Sequence, residues 1–176
     1  EKILLLPLEI ERNIFRDYKR SDRQGLVFLG NVTPDKDIKT VLYALAKAKE
    51  TVAGIKLDII GEVRDDQFYE LVQRLDLRDC VVVKGFIPHA LLCDELNNYT
   101  AYINSSISEG QCLAAYESAL CGLSLCLPKT MSFSGRFNNL AFFHEPGDFL
   151  GLASNFTQVI SNRDISKIEG VKNMIL

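Results

Sequence analysis

Two carboxylates, Glu109 and Glu117, are separated by seven residues that begin Gly110-Gln111-Cys112-Leu113 and continue into small and apolar side chains. The stretch from about Gln111 to Cys121 reads as a helix, buried on most sides, whose only charge is Glu117. The first N–H groups of a helix have no partner within it, and a preceding glycine lets a ligand approach closely. Gly110 to Leu113 therefore reads as a phosphate-binding start. A carboxylate aimed at phosphate would repel it, so Glu109, just ahead of that start, is suited instead to neutral hydroxyl groups such as those of a sugar. Glu117 needs a partner, a wet crevice or a polar ligand, because an unpaired buried carboxylate costs several kcal/mol or gives up its charge. A simple exposed stripe would satisfy it equally well. At about 1.5 Å per residue, Glu117 stands about 9 Å along the axis from Gln111, roughly the span from a diphosphate to the outer edge of an attached ribose.

Two further loops carry candidates. In Gly30-Asn31-Val32-Thr33-Pro34-Asp35-Lys36-Asp37, Thr33 can cap a helix with Pro34 as its first residue. Lys36 then lies in the first turn, where a cation opposes the macrodipole unless it serves an anion in front of it. A solvated lysine eased by Asp35 and Asp37 is the alternative. Gly85-Phe86-Ile87-Pro88-His89 combines a flexible backbone position with apolar side chains and a proline, suited to edging a flat aromatic ring, and fits an ordinary tight turn as well. His89 and His144 are isolated in sequence and read as loop or surface histidines outside any triad or metal site.

These loops need strands to position them. Apolar runs without polar alternation recur at Leu26 to Leu29, Leu57 to Ile60, Val81 to Val83, Ala101 to Asn104, Leu123 to Leu127 and Ala141 to Phe143, as in strands covered on both faces. Between them, Ile38, Val41, Leu42 and Leu45 follow helical spacing, as do Phe68, Leu71, Val72 and Leu75. A third stripe runs through Phe149, Leu152, Ala153, Phe156 and Ile160. Strands and helices in alternation predict right-handed βαβ units: an α/β fold, a single Rossmann-like doubly wound parallel sheet of about six strands with helices on both faces. In such a sheet the ligand crevice lies beyond the carboxyl ends of the strands, where the candidate loops are. Residues 25–161 form the predicted domain and 1–24 a connector. Residues 162–176 are expected to form a short helical tail that packs elsewhere in a complete protein. Leu4-Leu5-Leu6-Pro7 resembles the end of an unpaired strand, so the chain is expected to belong to a longer protein.

The 176 residues are 47% hydrophobic and 24% charged, with 20 Lys and Arg against 23 Asp and Glu, a net charge of −3. This is a globular composition without the basic footprint of a nucleic-acid binder, and a small-molecule ligand is expected. Five cysteines without Cys-x-x-Cys spacing sit in apolar surroundings, predicting buried thiols in a reducing, cytoplasmic compartment. The sequence shows neither a signal peptide nor an apolar run long enough to span a membrane.

The stretch Ser105-Ser106-Ile107-Ser108-Glu109-Gly110-Gln111-Cys112-Leu113 through Glu117-Ser118-Ala119-Leu120-Cys121-Gly122-Leu123-Ser124-Leu125 resembles the donor-binding half of family 4 retaining glycosyltransferases of the two-Rossmann-domain (GT-B) type. Their pattern is Glu-Gly-Phe-Gly-Leu-Pro followed by Glu-Ala-Met-Ala-Cys-Gly-Leu-Pro-Val, and both glutamates keep their spacing. The likeness extends through Gly30 to Lys36, Ile59-Ile60-Gly61-Glu62 and Val83-Lys84-Gly85-Phe86-Ile87, and Pro7-Leu8-Glu9-Ile10 up to Phe15 looks like the family's interdomain connector. The resemblance implies that Glu117 holds the ribose and Glu109 the transferred hexose of a nucleotide sugar. It implies that Lys36 meets the diphosphate leaving group, that the backbone of Gly110, Gln111, Cys112 and Leu113 binds phosphate, and that Gly30, Asn31, Phe86 and Ile87 line the donor site. Charge on the departing diphosphate would be met by a side-chain cation and helix N–H groups, with no cofactor and no metal. A glycan or lipid-linked acceptor would bind through a preceding domain, with peripheral membrane association of the whole enzyme.

Three departures stand out. The family's arginine five residues before the lysine is Asn31, and a lost charge contact of this kind is worth about 3 kcal/mol. The second motif glycine is Cys112, and the two motif prolines are Ala114 and Ser124. Lys129 and Arg136 are candidates to replace the missing charge. A non-catalytic module that binds a nucleotide sugar or partners an active subunit is the alternative that Asn31 motivates.

Overall fold

A computed structural model describes residues 14–162 and 164–175, so the readings of Leu4 to Pro7 and of Pro7 to Ile10 fall outside it. Six parallel strands, β1 (Leu26–Leu29), β2 (Leu57–Ile60), β3 (Val81–Gly85), β4 (Ala101–Ile103), β5 (Ser124–Pro128) and β6 (Phe142–His144), form one sheet in the order β3-β2-β1-β4-β5-β6. The order reverses between β1 and β4, where Phe28 pairs with Ile103. The helices are α1 (Ile38–Lys49), α2 (Phe68–Arg74), α3 (His89–Leu96), α4 (Leu113–Leu120), α5 (Met131–Phe137), α6 (Phe149–Ser161) and α7 (Ile165–Ile175).

The period of two in each strand divides the core. Leu26, Phe28, Ala101 and Ile103 pack with the buried stripes of α1, α2 and α6. Val27, Tyr102, Leu125 and Leu127 turn to the opposite face and pack with α3, α4, α5 and α7. The central strands so covered have no solvent face, which is why they read as uninterrupted apolar runs, while the edge strand β3 exposes Val82 and Lys84.

Several elements differ from the sequence reading. The fifth and sixth strands begin one residue later than predicted, which places His144 inside β6. It is a buried histidine, not a loop or surface one. Its ring nitrogens lie 3.2 Å from the Asn104 carbonyl and 3.0 Å from the Glu145 carbonyl, contacts that make burial tolerable. The fourth helix starts at Leu113, two residues late, because Cys112 takes a left-handed backbone (φ 60°) that no helix continues through. The C-terminal segment forms α7 and, instead of packing elsewhere, lies on α4, burying Ile168, Val171 and Ile175.

Residues 14–24 run along the same face. Phe15 is buried, and the Asn97 side chain donates to the Arg16 carbonyl at 2.9 Å and accepts from the Tyr18 amide at 2.8 Å. Asp17 lies 2.7 Å from Arg23 and 2.9 Å from Lys172, tying this segment to α7. No helix among the described residues is long and apolar enough to cross a membrane.

Candidate functional site

The loops after β1 and β4 meet where the strand order reverses, the place a doubly wound sheet leaves open for a ligand. They are fastened to each other. The Ser105 hydroxyl donates to the Lys36 and Asp37 carbonyls (2.6 and 3.0 Å), and the Ile107 amide donates to the Asp35 carbonyl (3.0 Å). Lys36 is thereby carried on a short 3-10 turn, Pro34–Lys36, ahead of α1. Its Nζ lies 2.8 Å from Glu109 Oε2, and both side chains are about three-quarters buried. The pair stands in a cleft of about 350 Å³ that is walled by Tyr102, Asn104 and the segment Glu109 to Ala114.

The floor of this cleft is the start of α4. The Cys112 carbonyl accepts from the amides of Ala115 and Tyr116, the first bonds of the helix, so the N–H groups of Leu113 and Ala114 have no acceptor inside it. Two residues of α5 hold the loop from behind: the Ser132 hydroxyl donates to the Glu109 carbonyl (2.6 Å), and Arg136 Nη1 donates to the Gly110 carbonyl (3.1 Å). Arg136 also lies 3.6 Å from Cys112 Sγ. Burial raises the Cys112 thiol pKa, against the lowering effect of Arg136. Gln111 is exposed at the rim.

Glu117 lies one turn along α4, with a side chain only 13% exposed, and its Oε1 is 3.1 Å from His89 Nε2. His89 opens α3 and meets the edge of the Phe15 ring at 5.1 Å. The loop Gly85 to His89 thus reaches α4, with Ile87 half-buried against the α4 side of the core and Phe86 turned out to solvent at 78% exposure. Gly30 lies so close to Gly61 that a Cβ on Gly61 would collide with the Gly30 carbonyl. Asn31 is turned to the end of β2, its Oδ1 accepting from the Glu62 amide at 3.0 Å. Lys129 pairs with Glu145 at 3.0 Å, and both side chains are exposed.

Lys36, Glu109 and Gly110 to Leu113 therefore share one cleft, and Glu117 lies beyond it beside His89. Sequence reasoning left out Tyr102, Asn104, Ser105 and His89. Asn104 had a signal, a polar residue closing an apolar strand at the reversal point. The pairing of His89 with Glu117 had none, because 28 positions separate them. Asp35-Lys36-Asp37 is an Asp-x-Asp spacing, yet the Asp37 carboxylate accepts from Thr40 at 2.6 Å. Among the described residues no group of three His, Cys, Asp or Glu side chains is placed to hold a metal ion. A larger depression of about 570 Å³ between Pro34 to Lys39 and Arg64 to Gln67 mixes both signs of charge and lacks the α4 start.

Residues 9–164 match the family model described as glycosyl transferases group 1. The chain belongs to this family. It is 33% identical over 129 residues to digalactosyldiacylglycerol synthase 1 of Lotus japonicus and 36% identical over 100 residues to that of Glycine max. Those matches cover 72% and 56% of this chain but only 16% and 12% of the relatives, so the chain spans a small part of their length. Among solved structures, the C-terminal domain of the group 1 glycosyltransferase LpcC from Francisella tularensis superposes with a TM-score of 0.80 at 16% identity, covering 95% of this chain and 96% of that one. A TarM mutant of S. aureus, crystallised with UDP among its ligands, gives 0.81 at 17% identity over 92% of this chain and 34% of that one. The likeness to these structures is one of fold.

Proposed function

We propose that this glycosyltransferase domain binds the nucleotide-sugar donor of a retaining transfer reaction. The observation that carries the reading is the Lys36–Glu109 pair set against the open start of α4 in a single cleft. A diphosphate seated there is met by the Lys36 ammonium and by the N–H groups of Leu113 and Ala114. Charge that grows on the diphosphate as the anomeric C–O bond breaks then falls on groups already in place. Glu109, released from Lys36 by the competing phosphate, accepts from the hydroxyls of the hexose. Glu117, held beside His89, accepts from the ribose. In the retaining reaction the acceptor hydroxyl forms the new C–O bond, and its proton leaves with the nucleoside diphosphate.

TarM was crystallised with UDP, and the curated relatives are named for making digalactosyldiacylglycerol. UDP-galactose with a lipid-linked acceptor is therefore the first donor and acceptor pair to assay, with the acceptor held by a further domain at a membrane surface. Calorimetric titration with UDP, ADP, GDP and their sugars, repeated on Glu117→Ala, tests the site. We expect binding of one diphosphate in the micromolar to millimolar range and about tenfold weaker binding in the variant. No binding of any at millimolar concentration rejects the donor site, and unchanged affinity in Glu117→Ala rejects the ribose role.

Asn31 supports a second reading, a module that binds donor without turnover, since its side chain is committed to the Glu62 amide and brings no charge to the cleft. If the whole protein turns over no donor and its Asn31→Arg form does, that reading holds.

A further inference from the structure

We propose that Arg136 is a diphosphate ligand of this domain and supplies the second leaving-group cation from α5. This deepens the donor-site reading and rests on it. Three observations converge on the residue. The loop after β1 offers one cation, Lys36, and Glu109 already matches its charge at 2.8 Å. Asn31 lies against β2 and carries no charge. Arg136 reaches the phosphate-binding loop from the other side, with Nη1 at 3.1 Å from the Gly110 carbonyl and 3.6 Å from Cys112 Sγ.

Both contacts are to groups without formal charge. Among the described residues Arg136 has no carboxylate within ion-pair distance, so its positive charge at this loop is unmatched. Lys36 contacts residue 109 and Arg136 contacts residues 110 and 112, and the two cations therefore bracket the backbone leading to the α4 start. The guanidinium is planar and offers five N–H donors in a fixed fork, of which these contacts use one nitrogen. The rest match the oxygens of a phosphate as an ammonium does not. Lys129 is the other cation of this region, and it is spent on Glu145.

A role confined to bracing the loop predicts something different. Bracing would weaken every phosphate-bearing ligand alike, whereas a charge placed for a diphosphate acts on the difference between one phosphate and two. The experiment compares calorimetric affinities of UDP and UMP, with ADP and AMP and with GDP and GMP in parallel, for the protein and its Arg136→Gln and Arg136→Lys forms. Thermal unfolding confirms that each form is folded. We expect Arg136→Gln to lower the preference for diphosphate over monophosphate about tenfold or more, and Arg136→Lys, which keeps the charge and loses the fork, to retain more of it. An unchanged preference in Arg136→Gln, or equal loss in the two forms, overturns the proposal and leaves the donor site standing. If the unmodified protein binds none of the diphosphates, the donor-site reading itself falls and this one with it.

Discussion

At position 112 the chain places a cysteine where the backbone is left-handed, a conformation that costs an L side chain about 1 kcal/mol and glycine nothing. The side chain is also buried, so removing it opens a small void. Comparing two truncations separates these effects. Cys112→Ala loses the sulfur and keeps the strain, while Cys112→Gly loses the sulfur and relieves it. Urea unfolding is expected to find the glycine form about 1 kcal/mol more stable than the alanine form, the reverse of the order at ordinary positions; the usual order would show that residue 112 is not left-handed in solution. Lys36 gives a different signature. Its pair with Glu109 is partly exposed, so Lys36→Gln should cost no more than about 1 kcal/mol of stability. If Lys36 serves the leaving group, donor turnover should fall about 100-fold or more in the same variant. A turnover loss no larger than the stability loss would remove it from the chemistry.

Among the elements, those with buried, regularly spaced apolar residues were readable. Ile38, Val41, Leu42 and Leu45 announce α1 because all four face the sheet, and Leu26 to Leu29 announces β1 because covered strands need no polar alternation. The helix α5 is seven residues long, contains Gly135 and two serines, and carries no such stripe. Its contribution to the site, through Ser132 and Arg136, was therefore visible only in part. The α4 boundary was misplaced because a left-handed cysteine looks like any other residue in a sequence. Lys36 and Glu109 were separately legible as cation and carboxylate, but their contact across 73 positions depends on how two loops cross at the strand reversal. The turn from α4 into β5 yields a prediction at this scale. Gly122 has φ 83°, and a Cβ there would strike the Asp17 carboxylate. Gly122→Ala is expected to cost about 2 kcal/mol or more by thermal or urea unfolding, and a neutral result would mean that Asp17 does not sit over this turn.

Across the whole molecule, Asp17 gathers Arg23 near the first strand and Lys172 on the last helix. Burial disfavours its charge, but the hydrogen bond from Lys172, the Lys19 amide and the charges of Lys172 and Arg23 outweigh burial and hold the carboxyl well below the usual range. A carboxyl depressed on folding adds its full stability above its unfolded pKa of about 3.9, and that contribution drains away as pH falls below this value toward the depressed folded one. Asp17→Asn should therefore destabilise the protein by about 3 kcal/mol near neutrality and by progressively less below about pH 4. Parallel unfolding curves for the two forms across pH 3 to 7 would refute the assignment. The tie between the loops after β1 and β4 reaches furthest. Ser105 and Ile107 grip the backbone of residues 35–37 while Glu109 takes the side chain of Lys36. Two stretches about seventy positions apart in the chain are thus one exchangeable part: a chimera that imports residues 105–112 from a relative must bring residues 33–37 along, or it inherits a lock without its key.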